Sequence, residues 1–149
     1  NWVINELFGR LKKDGRDVLR AEGAHRAMQA AYAMAGRSPA DVRVAEVHDC
    51  FTVMGAIGTE VLGKAETGRG AAYWNDGKAA VGGECAINSS GGLIAKGHPI
   101  GATGVAMIGW SAWQLRGKAP ADLQVADPGV AATFNIGGPI CASVCTVLE

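Results

Sequence analysis

The 149-residue chain carries 14 basic and 14 acidic side chains, for a formal net charge of zero, and 48% of its residues are apolar. That balance suits one globular domain with a sizeable core and gives no footing for the phosphate attraction of a nucleic-acid binder. No apolar run approaches the roughly 20 residues of a membrane-spanning helix, and no charged start leads into an apolar signal segment, so the expectation is a soluble, cytoplasmic protein without a membrane partner.

In chain order, Val3, Leu7, Phe8 and Leu11 recur at helical spacing before Lys12 to Gly15 breaks the pattern. Residues 1–20 are therefore expected to form an extension or linker helix ahead of a domain over 21–149. The chain starts at Asn1 and holds no long linker, so a processed or truncated chain is expected. From Asp17 to Ala35, the residues Val18, His25, Met28, Ala31, Tyr32 and Ala35 line one helical stripe, and Gly36 stands where a C-terminal cap belongs. Ser38-Pro39 reads as an N-cap and first helical position for one short turn, followed by a strand over 42–47. A strand-to-helix junction is predicted at His48 to Phe51, because Phe51, Met54, Ile57, Val61 and Leu62 repeat at helical period until Gly63.

Residues 65–100 are glycine-rich and weakly periodic, as expected of a functional loop that also hides short strands. Gly101 to Arg116 reads as a helix with Val105, Ile108, Ala112 and Leu115 on one face. Two strands, 130–136 and 140–148, flank the turn Gly137-Gly138-Pro139; the second is apolar on both faces and is expected to be covered on each side. The order implies a layered α/β domain with a mixed sheet. Cys50, Cys85, Cys141 and Cys145 read as free thiols. Cys141 and Cys145 share a strand, where four residues span about 13 Å, beyond the roughly 7 Å limit of a disulfide. No paired spacing suits a tetrahedral zinc, so no metal is expected.

Three segments carry candidate chemistry. In an extended strand His48 and Cys50 project to one face, pairing an imidazole with a thiol able to shuttle a proton or attack a carbonyl. The same residues also suit a satisfied histidine and a core cysteine at a strand end. In Asn88 to Gly104, Pro99 restrains His98 from helical angles and glycines allow close backbone approach, so the imidazole is held at a helix amino terminus. There it can donate to an oxyanion or take a proton, unless the segment is only a structural turn or a phosphate cradle. Asn135-Ile136-Gly137-Gly138 offers consecutive amides for an oxyanion hole, or forms an ordinary hairpin turn.

Glu46 to Thr52, Asn88 to Gly104 and Asn135 to Gly138 resemble, in order and spacing, three consecutive motifs of the thiolase superfamily. The resemblance covers residues 21–148 and is greatest to the sterol-carrier-protein-type thiolases and the archaeal and bacterial acetyl-CoA acetyltransferases. It implies the carboxy-terminal half of a fold built from two α/β halves, with an active site assembled from both. By this resemblance His98 activates the nucleophilic cysteine and helps form an oxyanion hole. Cys50 is the acid/base, and His48 stands where other thiolases hold an oxyanion-hole water through an asparagine. Gly137 and Gly138 serve the second oxyanion hole, while Asn135 and Gly97 contact substrate.

The implied reaction is thiolysis of 3-oxoacyl-CoA, or the reverse Claisen condensation, with coenzyme A thioesters as substrates and no permanently bound cofactor. The family's nucleophilic cysteine belongs to the amino-terminal half and has no counterpart here, so this chain alone is expected neither to acylate nor to condense. That half and the acyl-CoA are the implied partners, and an apolar face left by its absence favours homo- or hetero-oligomers. Ser89 and Phe134 depart from the proline and histidine usual at their positions. Two other readings are a noncatalytic thiolase-fold partner or acyl-CoA-binding subunit, and a thiolase-like retro-aldolase, which the retained His48 and His98 disfavour.

Overall fold

The computed structural model describes residues 22–138 and 142–149. The expected opening helix, the Asp17 to Ala21 start of the next one, and Pro139, Ile140 and Cys141 lie outside the described residues. Helix α1 (Glu22–Ala35) buries Ala24, Met28 and Tyr32 as a one-sided stripe. It ends where Gly36 turns to a φ of +63° and the Arg37 amide donates to the Tyr32 carbonyl at 3.0 Å. A single 3-10 turn at Pro39–Asp41 leads into β1 (Val42–Val47). Helix α2 (Thr52–Val61) follows, so the predicted junction at residues 48–51 is present.

The long glycine-rich stretch holds one two-residue strand, β2 (Ala86–Ile87), and two short helices that the pattern did not reveal, α3 (Gly70–Asn75) and α4 (Gly92–Lys96). Five or six residues are too few for a 3.6-residue periodicity to register. Helix α5 (Thr103–Leu115) and the hairpin β3 (Val130–Gly137) and β4 (Ala142–Leu148) complete the domain. The sheet order is β2-β1-β3-β4. β1 pairs in parallel with β2 and with β3, placing Val44 beside Ala86 and Val47 beside Phe134. β3 and β4 are antiparallel, with Phe134 opposite Cys145. The expected mixed sheet layered with helices is therefore what the chain forms.

Helices α1 and α2 share one face of the sheet, where Met28, Tyr32, Val47, Met54, Leu62 and Phe134 form the larger core cluster. Helix α5 crosses the other face over β1 and β3, above a smaller cluster of Val44, Ala86, Val125 and Ala131. Two expectations need correction here. The first half of the apolar stripe of α5 turns away from the sheet: Val105 is 72% and Ile108 39% exposed, Ala112 is half-buried and only Leu115 packs against the smaller cluster, while Thr103, Met107, Ser111 and Gln114 face inward. Among the described residues β4 is an edge strand and is not covered on both sides; α1 packs against it, yet Val144 stays 58% exposed. Cys50, Cys85 and Cys145 are free thiols. No helix among the described residues is long and apolar enough to cross a membrane.

Candidate active site

The carboxyl ends of β1 and β3 and the first turn of α5 converge, in the place where open α/β sheets take their ligands. β1 ends at Val47, but the His48 amide still donates to the Phe134 carbonyl at 2.9 Å, carrying the pairing with β3 one residue further. The His48 side chain is buried, with Nδ1 2.5 Å from the Asn135 side-chain oxygen. An amide oxygen only accepts, so Nδ1 carries the proton and Nε2 keeps its lone pair. Burial is the largest influence on His48 and lowers its pKa, the nearby His98 adds to the lowering, and the Asn135 bond opposes it. His48 is thereby held neutral at neutral pH.

His98 meets His48 edge to face, with ring centroids 4.8 Å apart and planes at 88°. Its Nδ1 lies 2.8 Å from the hydroxyl of Thr103, the first residue of α5. That buried hydroxyl is 3.3 Å from the Pro99 carbonyl, and by donating to it is left to accept from His98 Nδ1–H. Both imidazoles are thus anchored through Nδ1, which leaves Nε2 of each outside these contacts. Gly104 lets α5 come this close: a Cβ there would stand 2.6 Å from the Asn135 amide nitrogen.

Buried polar groups stitch the end of β1 to the segment that carries His98. Asn88, at a φ of +54°, accepts from the Val47 amide at 2.7 Å and donates to its carbonyl at 3.1 Å, so its side chain stands in for a strand residue. Asp49 accepts from the Leu93 amide at 2.7 Å, and Gly92, at a φ of +62°, leaves room for this, since a Cβ there would meet the second Asp49 oxygen at 2.2 Å. Glu46 accepts from the Ser90 hydroxyl at 2.6 Å and the Ser90 amide at 3.3 Å, with the Lys96 ammonium 3.8 Å away. Burial is the dominant influence on Glu46 and pushes its carboxyl up to about 7, against the lowering by Ser90 and Lys96.

The structure thus brings His48, His98 and Asn135 together. Gly97 caps α4 one residue before His98, and just past Asn135 the exposed Gly137 ends β3 and the exposed Gly138 begins the turn. Cys50 is placed differently from the strand-alternation reading. The strand stops at Val47, and Cys50 lies in the following bend, half-buried against the larger core cluster. Among the described residues neither histidine is hydrogen-bonded to it. Burial raises the Cys50 thiol pKa, partly offset by the Phe51 amide and its own. Cys85 and Cys145 are pushed by burial to about 11, so none of these three is poised as a thiolate.

Exposed apolar side chains surround the junction: Phe51 is 71%, Ile94 67% and Ile100 93% exposed. An apolar hollow of about 270 Å³ opens between Asp49, Thr52, Ala56, Trp74 and Ile94. Sequence reasoning missed Glu46, Asn88 and Thr103 as builders of the site. The available signal was a carboxylate inside an otherwise apolar strand, because a buried charge needs partners brought from elsewhere in the chain.

Residues 10–149 match the family described as thiolase C-terminal domain-like. The chain is 42% identical over 125 residues to an acetyl-CoA acetyltransferase of Methanothermobacter thermautotrophicus, covering 84% of this chain and 32% of the relative. It is 42% identical over 125 residues to sterol carrier protein 2 of Rattus norvegicus, covering 82% and 23%. It is 38% identical over 122 residues to the benzoylsuccinyl-CoA thiolase subunit BbsB of Thauera aromatica, covering 82% and 31%. The chain therefore spans about a third or less of these relatives' lengths. Among solved structures, the Ltp2-ChsH2(DUF35) aldolase superposes with a TM-score of 0.73 at 23% identity, over 83% of this chain and 31% of that one, a likeness of fold.

Proposed function

Because the chain belongs to the thiolase C-terminal domain-like family, we propose that it supplies the histidine pair and acid/base cysteine of a thiolase-like acyltransferase. The reaction is thiolysis of a 3-oxoacyl-CoA or its reverse, Claisen condensation of two acyl-CoA molecules. The observation that carries this reading is the edge-to-face contact of His48 and His98, each anchored through Nδ1.

In the thiolysis direction a cysteine thiol from an amino-terminal half attacks the 3-oxo carbon, and His98 Nε2 takes its proton. Cleavage of the bond between C2 and C3 leaves the acyl group on that cysteine and a carbanion at C2 of acetyl-CoA. Cys50 gives this carbanion its proton, a task suited to a thiol that burial keeps protonated at neutral pH. Coenzyme A then gives its thiol proton to the Cys50 thiolate and attacks the acyl carbonyl, and the leaving cysteine takes back its proton from His98. The amides of Gly137 and Gly138 donate to one carbonyl oxygen as charge develops, His98 once protonated and a water held by His48 Nε2 donate to the other, and Asn135 and Gly97 line the substrate.

The partners are then an amino-terminal thiolase half and the coenzyme A thioester. A relative that is itself a thiolase subunit fits an assembly of separate chains. A second reading, a noncatalytic thiolase-fold subunit, is favoured by one observation: none of the described cysteines sits where a thiolate is stabilised.

The deciding experiment joins this chain to the amino-terminal portion of the Methanothermobacter relative, as a fusion or by coexpression, and assays acetoacetyl-CoA cleavage. Activity in the reconstituted protein and none in this chain alone is the expected result. A well-folded complex without cleavage would favour the noncatalytic subunit.

A further inference from the structure

From the buried contacts around α4 we infer that Glu46 is a positioning residue, whose carboxylate and Lys96 together clamp both ends of α4 to β1 and so set where His98 stands against His48. Glu46 is fully buried, and it shares a face of β1 with His48 because strand side chains repeat every second residue. One end of the clamp is Ser90, two residues before α4, whose amide and hydroxyl both reach the carboxylate. The other end is Lys96, the last residue of α4, only Gly97 away from His98.

Core packing does not require a carboxylate at this point, and a buried one is costly unless its lone pairs are filled. What it provides is capacity for three donors at once, which neither an amide nor a hydroxyl can gather. The contacts at the two ends differ in kind. Ser90 is held by hydrogen bonds, whereas Lys96, at 3.8 Å, is held by charge. The attachment of the Lys96 end of α4 to β1 therefore lasts only while Glu46 is ionised.

The charged and titratable groups around the carboxylate are Lys96 on α4, Asp49 at the end of β1 and, farther along the same face, His48. Burial brings Glu46 to about 7, so the contact with Lys96 weakens as pH falls through neutrality.

The inference rests on the proposed function only in treating His48 and His98 as one site, and its test involves no turnover. Nitrogen-15 NMR of the full 149-residue chain is used to titrate both imidazoles, with the cross-peak between their rings recorded alongside. Glu46→Gln is nearly isosteric: its one oxygen still accepts from the Ser90 amide, its NH2 takes the place of Oε2 and donates to the Ser90 hydroxyl, and Lys96 is released. Glu46 is ionised above about 7 and is already protonated where the lowered His48 takes up its proton, so the variants are compared with the native chain at pH 8 and then as pH falls.

The expected result for Glu46→Gln is loss of the ring cross-peak at pH 8, where the native chain shows it, and the native cross-peak should itself fade as pH falls through about 7. Lys96→Met loses the same cross-peak, and Lys96→Arg keeps it. A ring cross-peak retained at pH 8 in Glu46→Gln or in Lys96→Met overturns the inference. Failure here leaves the acetoacetyl-CoA assay untouched, and failure of that assay leaves the clamp standing.

Discussion

The two faces of the sheet are built on opposite principles. Against α1 and α2 the chain buries Met28, Tyr32, Leu62 and Phe134 in a continuous apolar cluster. Against α5 it buries Glu46, His48, Thr133, Ser111 and Gln114, while Val105 and Trp113 on the far side of the same helix are 72% and 53% exposed. The first face holds the domain together. The second holds polar side chains in fixed places and leaves an apolar surface outward, the pattern of a face that meets another protein surface. Stability and function can thus be perturbed separately.

The largest effect is expected on the apolar face. Phe134 is fully buried between β1 and β4, and Phe134→Ala should cost about 3–5 kcal/mol in denaturant unfolding. Val105→Ser on the outer side of α5 should change stability by less than about 0.5 kcal/mol. A comparable loss at Val105 would mean that this surface is already covered in solution.

A smaller loss is expected from the polar face. Gln114 donates to the Leu123 carbonyl at 2.7 Å and accepts from the Val125 amide at 2.9 Å. Gln114→Leu strands both backbone groups and should cost about 1–3 kcal/mol.

Smaller again is Ser111→Ala. The Ser111 hydroxyl is buried with no hydrogen-bond partner among the described residues. Its removal should leave stability unchanged or raise it by up to about 1 kcal/mol in thermal unfolding.

A pH titration of stability sharpens the contrast. The folded-state pKa of Glu46 is raised by burial, so its contribution is fully present below the ordinary carboxylate range and is lost as pH rises to about 7. Unfolding free energy should fall across that window in the native chain, and the fall should be shallower in Glu46→Gln.

The same division explains what could be read from the sequence. The α1 stripe of Met28 and Tyr32, its end at Gly36 and the apolar strand before His48 are local patterns, and each forms the element its periodicity predicts. The His98 segment was legible as a motif because its glycines and proline fix a backbone. Its supports were not legible, since Glu46 and Ser90 lie 44 residues apart and His48 and Asn135 lie 87 apart, beyond any window of local pattern. Periodicity also marked an apolar face on α5 but could not say what covers it. In a chain spanning about a third of its relatives' length, Val105 and Ile108 turn outward and Thr103 and Met107 inward.

The most direct test of the account is acetoacetyl-CoA cleavage by the protein reconstituted with an amino-terminal thiolase half, with and without His98→Ala. Loss of the base should lower the rate by about 10²- to 10⁴-fold while the complex stays assembled. Cleavage at the native rate by His98→Ala would contradict the central claim that His98, held against His48, is the base of this site.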